Sequence, residues 1–106
     1  MRFSRIPLLL LAGLPLAAAE PVDGRQIFGD HCASCHGTDG RARTPAGRKV
    51  GAKDLAQSTA SEAEVRERIL AGLKDPGGAI RMPSFADRLS PEAVSAVAAY
   101  VKTFRR

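Results

Sequence analysis

Residues 31–37, HCASCHG, hold every cysteine and every histidine of the chain: His31, Cys32, Cys35 and His36. Two thiols are separated by two small residues, the second thiol is followed at once by an imidazole, and no other such cluster occurs along the 106 residues. Whatever chemistry this stretch performs must be completed by residues of another kind elsewhere.

The ends of the chain narrow the choice. The start, MRFSRIPLLLLAGLPLAAAE, places Arg2 and Arg5 ahead of an apolar run and closes on Ala17-Ala18-Ala19, the layout of a cleavable secretory signal over residues 1–19. The apolar run, residues 6–19, makes about 21 Å of helix against a hydrocarbon core of about 30 Å, too short for a spanning anchor. The mature domain is expected at residues 20–106, exported to a periplasm and without stable membrane insertion after cleavage. Arg2 and Arg5 leave with the signal, so 14 basic residues then face 11 acids, a formal charge of about +3. So mild an excess does not argue for nucleic acid.

The mature 87 residues have little room for a self-sufficient core, and their only aromatics are Phe28, Phe85, Tyr100 and Phe104. A large apolar cofactor would supply the missing interior. Export makes a disulfide the first alternative for Cys32 and Cys35, but so short a loop braces little. A thioredoxin-like pair belongs beside a βαβ pattern, and no strand runs are visible. A closed zinc site wants four ligands, with His31, crowded against Cys32, the one nitrogen left to complete it. Cys32-Ala33-Ser34-Cys35-His36 also has the C-x-x-C-H form of covalent haem c attachment. In that reading two thioethers pin the porphyrin edge and His36 is the proximal iron ligand.

A second axial ligand follows by elimination. Met82 is the one methionine after the signal, and His31 lies too near the tether to reach the opposite face. Its surroundings, DPGGAIRMPSFADRLS, read as an irregular loop, since Pro76-Gly77-Gly78 interrupts regular structure and Pro83 removes a donor. The alternative is a core methionine, which ordinarily sits on a helix stripe.

Around these residues the spacing predicts helices. One runs from Val22 to about His31 with Ile27 and Phe28 inward. A second spans Ser61 to Leu73, opened by a Ser61/Glu64 capping box with Val65, Ile69 and Leu73 on one face. A third starts at Ser90-Pro91, with Leu89 and Val94 spaced as a hydrophobic staple and Val94, Val97, Tyr100, Val101 and Phe104 as its stripe. Between tether and Ser61 a turn or so of helix is expected near Gly51 to Gln57. The fold class is all-α, with about three to four short helices.

GRQIFGDHCASCHG, RMPSF and AVAAYVKTF together make residues 20–106 resemble a small bacterial class I cytochrome c with one haem. The resemblance implies a cytochrome c-like fold in which the first and last helices cross closely, at positions matched by Gly24, Phe28 and Tyr100. It also implies a proline carbonyl accepting the proton of His36, for which Pro45 is the matching candidate. The haem-binding residues are then Cys32, Cys35, His36, Met82 and Pro45, with His36 and Met82 on the iron.

The implied function is single-electron transfer by a periplasmic carrier that is not an enzyme. Two alternatives remain: an electron-accepting subunit of a periplasmic dehydrogenase, and a haem-based gas sensor with an open iron site. The partners are redox proteins, docked through an acidic face if the basic residues Arg41, Arg43, Arg48, Lys49, Lys53, Lys74, Arg81 and Arg88 form one surface. A merely solvated set is the other reading of those charges.

Overall fold

The computed structural model describes Ser4 and residues 22–106, so the expected signal sequence, Ser4 apart, lies outside the described residues. Helix α1, Gly24–His31, begins two residues later than the sequence suggests, because Asp23 takes the N-cap and accepts from the Arg25 N–H at 3.0 Å. Cys32 closes α1 and opens α2, Ala33–His36, a single turn.

The next helix was not foreseen. Helix α3, Pro45–Val50, has Thr44 as N-cap, Pro45 in its first turn and Gly51 as a left-handed C-cap at φ 67°. Only a 3-10 turn, Leu55–Gln57, falls where a turn of helix was expected. The glycine inside PAGRKV conceals the helix from a propensity reading, but it is required by a neighbour: a Cβ on Gly47 would run into the Cys35 carbonyl oxygen.

Helix α4, Glu62–Ala71, carries the expected reciprocal capping box between Ser61 and Glu64. It stops short of Leu73 because Gly72, at φ 70° and ψ −168°, turns the chain out of the helix. The expected irregular loop then contains a short antiparallel ladder, β1 (Leu73–Lys74) against β2 (Ile80–Met82), with Leu73 opposite Met82. Asp75 closes the connection, its carboxylate and carbonyl accepting from Ala79 and Gly78 at 2.9 Å each.

Helix α5, Pro91–Val101, is capped by Ser90 and continues as a 3-10 turn, Lys102–Phe104. Among the described residues the chain is thus five helices with one minimal ladder, an all-α framework. Phe28, Ile69, Phe85, Val94, Val97, Ala98 and Val101 form the core. α1 crosses α5 at Gly24, where a Cβ would stand 2.8 Å from the Ala96 carbonyl carbon and 3.1 Å from Tyr100 Cβ. The Phe28 ring packs beside Tyr100 and Phe104, at centroid distances of 5.5 and 4.9 Å. None of the helices described is long and apolar enough to cross a membrane.

Candidate functional site

The α1–α2 junction presents both thiols. The Cys35 and His36 N–H groups donate to the Cys32 carbonyl at 3.2 and 2.9 Å, so positions 32 and 35 lie a turn apart on one side of the backbone. Both cysteines are half-buried and free, so the disulfide reading finds no bond here. Among the described residues no three potential metal-ligating side chains gather into a cluster. Burial, with Cys35 adding to it, pushes the Cys32 thiol up to about 11.

Three hydrogen bonds centred on Thr44 fix this turn. Its hydroxyl lies 2.7 Å from the Ser34 carbonyl and 3.0 Å from that of Cys35, and accepts from the Gly47 N–H at 2.9 Å. The N-terminus of α3 is thereby clamped to the carbonyl end of α2.

His36 is half-buried with its Nδ1 3.0 Å from the Lys53 carbonyl oxygen. This corrects the expectation for Pro45. Pro45 is the exposed first residue of α3, where its carbonyl is turned along the helix, and the acceptor comes from the chain after α3. Because a carbonyl only accepts, Nδ1 carries the proton and Nε2 keeps its lone pair. Burial pulls the imidazole below its ordinary value, and the Lys53 carbonyl opposes the shift in part.

Cys32, Cys35 and His36 line a cavity of about 470 Å³, within the roughly 300–1,000 Å³ usual for cofactor sites. Met82 lines the same cavity, presented by β2 and followed by Pro83. Its approach depends on Gly72, where a Cβ would come within 2.8 Å of the Ser84 nitrogen and 2.9 Å of the Pro83 carbonyl carbon. The Ser84 hydroxyl holds the passing strand to the Leu70 carbonyl at 2.5 Å. The remaining walls are largely apolar, with Phe28, Leu55, Val65, Ile69, Phe85 and Val97 among them. Of the basic residues singled out from sequence, Lys53, Arg81 and Arg88 border the cavity, as does Arg68, which was not singled out.

The structure therefore brings Cys32, Cys35, His36 and Met82 to one cavity and leaves Pro45 off its lining. Two free thiols at its edge, an imidazole with one nitrogen engaged and one available, and a thioether among apolar walls fit a covalently held porphyrin. The sequence reading missed the roles of Thr44, of Gly72 and of the Lys53 carbonyl, having singled out Lys53 for its charge alone. The Thr-Pro pair and the glycine after α4 were legible as helix punctuation, whereas nothing marks a main-chain carbonyl such as that of Lys53.

Comparison with known proteins agrees with this geometry. A family model described as Cytochrome c matches residues 21–105. The chain is 38% identical over 96 residues to cytochrome c6 of Nostoc sp. (strain PCC 7120), covering 82% of this chain and 73% of that one. It is 33% identical over 78 residues to the Cbb3-type cytochrome c oxidase subunit FixP of Rhizobium meliloti (strain 1021), covering 74% of this chain. The chain spans only about a quarter of the length of that subunit, 25%. Among solved structures, the KustC0563 c-type cytochrome superposes with a TM-score of 0.68 at 31% identity, covering 80% of this chain and all of its own.

Proposed function

The chain belongs to the cytochrome c family, and on that premise we propose that it is a periplasmic single-electron carrier with His36 and Met82 as its axial ligands. Its cofactor is covalent haem c and its work is haem-based electron transfer. When bound, the haem exchanges one electron as its iron passes between the ferrous and ferric states.

The chain's own residues do the rest. Cys32 and Cys35 would hold the cofactor through thioethers, each S–H adding across a vinyl group. The free Cys32 thiol, pushed up to about 11, stays protonated at neutral pH and is a poor nucleophile. His36 offers Nε2 to iron while Lys53 fixes its orientation and tautomer. The Met82 sulfur would be the second protein ligand to the iron, and a thioether there would favour the ferrous state relative to a second imidazole. Phe28, Leu55, Val65, Ile69 and Val97 give the site apolar walls for the porphyrin faces. The observation that carries the reading is that His36 and Met82 line one cavity with both thiols.

A second reading is favoured by the FixP match, in which a stretch of this size belongs to a longer oxidase subunit. On that reading the chain is the electron-accepting component of a stable complex, such as one with a periplasmic dehydrogenase. Co-purification from the source cell at fixed stoichiometry with an enzyme supports it, and a freely diffusing monomer opposes it.

The test of the carrier is a visible spectrum of exported, haem-matured protein, oxidised and reduced, with and without carbon monoxide. A six-coordinate spectrum, cofactor resistant to acid-acetone, and poor carbon monoxide binding at neutral pH are expected. Avid binding by the folded wild type overturns the carrier in favour of a gas sensor, and extractable haem overturns covalent attachment.

A further inference from the structure

Three arginines line the cavity, and their guanidinium groups are engaged differently. Arg68 donates from Nη1 to the Gly72 carbonyl at 3.2 Å. Arg88 places its guanidinium carbon 5.6 Å from the Phe85 ring centroid, and that ring also meets His31 edge-on at 6.1 Å, beside the tether. Arg81 reaches from β2 to the C-cap of α3, where its Nη1 stands 3.0 Å from the place a Cβ would occupy on Gly51. Among the described residues its guanidinium donates no hydrogen bond, and five N–H groups remain for a partner.

We propose that Arg81 receives a haem carboxylate and, in doing so, straps the hairpin that carries Met82 to the end of α3; this rests on the haem c reading above. A porphyrin held by its vinyl edge at Cys32 and Cys35 directs its carboxylates to the opposite edge. Helix α3 starts against the tether, with Thr44 and Gly47 at the Cys35 carbonyl, and leads away over the four residues to Gly51, about 6 Å along its axis. Arg81 is the arginine whose guanidinium rests at that far end. Its planar fork matches a carboxylate in bidentate geometry, and a cation beside the last turn of α3 also suits the carbonyl end of that helix. Gly51 serves as the seat: φ 67° disfavours other residues there, and a side chain would displace the guanidinium. The other charged groups that line the cavity are Asp30 and His31 on α1, Lys53, Glu64 and Arg68 on α4, and Arg88.

The test uses ferrous, haem-matured protein with isotope-labelled arginine. Slowly exchanging Arg81 guanidinium protons with nuclear Overhauser contacts to a propionate methylene are expected. Arg81→Gln should remove those contacts and lower the midpoint potential, because a positive charge near the iron favours the ferrous state. Arg81→Lys should keep most of that potential, and Arg88→Gln should leave the Arg81 contacts in place. Solvent-rate exchange at Arg81 without propionate contacts, or contacts made by Arg68 or Arg88 instead, overturns the proposal. These wild-type measurements decide the matter even where Arg81→Gln fails to mature. Protein without covalent haem defeats the underlying reading instead, so the two failures are separable.

Discussion

His36 and Lys53, seventeen residues apart, are joined by one 3.0 Å hydrogen bond from the imidazole Nδ1 to the main-chain carbonyl oxygen. The acceptor is backbone, so the bond constrains the path of the chain at residue 53 rather than its side chain. That path is itself held, since Ala52 N–H donates to the Gly47 carbonyl at 2.8 Å and Leu55 N–H to that of Gly40 at 2.7 Å.

The pH dependence follows from the direction of the His36 shift. Burial lowers its folded value while the unfolded one stays near 6.5, so the unfolded chain binds the proton first as acid is added. The stability contributed by neutral His36 is therefore complete above about pH 6.5 and is lost as pH falls toward the folded value. This titration belongs to the unligated imidazole, since a nitrogen bound to iron has no lone pair for a proton. Thermal midpoints of the haem-free chain should decline below that pH, and Lys53→Ala, which keeps the carbonyl, should leave the acid limb unmoved. A displaced limb in Lys53→Ala would show that the side chain holds the imidazole.

Replacing Met82 distinguishes an iron ligand from a filler. Met82→Ala should retain haem through Cys32 and Cys35, acquire a high-spin or water-ligated spectrum, bind carbon monoxide readily and fall in potential. Met82→His should remain six-coordinate at a lower potential. A filler instead gives a loss of about 2–5 kcal/mol in unfolding free energy with the iron spectrum little changed.

Thr44→Val removes a hydroxyl that serves Ser34, Cys35 and Gly47 together. The loss should exceed an ordinary N-cap deletion, about 0.5–2 kcal/mol, because the one hydroxyl proton shared by the Ser34 and Cys35 carbonyls is lost as well. Thr44→Ser should restore most of it. Denaturant unfolding of the ferric protein measures both, and equal stability of Thr44→Val and wild type would dismiss the clamp.

At the helix crossing, Gly24→Ala should destabilise although alanine favours helix by about 1 kcal/mol. The added Cβ meets Ala96 backbone, which cannot rotate away, and overpacking of this kind costs about 1–3 kcal/mol. A thermal midpoint at or above that of wild type contradicts so tight a contact.

Electron transfer with an acidic redox partner should slow as salt is added, since the Debye length is only about 8 Å at physiological ionic strength. Charge reversal at Lys49, exposed in the last turn of α3, should act mainly on the association rate. Rates that stay flat from low to high salt leave the basic residues as plain solvated surface.

Local chemistry made part of this protein readable in advance. The attachment motif is contiguous, Ser61/Glu64 and Ser90/Pro91 are cap signals within four residues of one another, and the stripe through Val94, Val97 and Val101 is a simple period. Met82, the one methionine besides Met1, also stood out as the candidate. The tertiary structure decided what depended on distant partners. Gly47 sits in a helix because the Cys35 carbonyl leaves no room for a side chain, which intrinsic propensity cannot register. The two-residue strand at Leu73 exists only because Gly72 turns the chain to meet Met82. The acceptor for His36 is a carbonyl, present at every position, so no side chain announces it; the fold of the 37–55 segment chose Lys53 over Pro45.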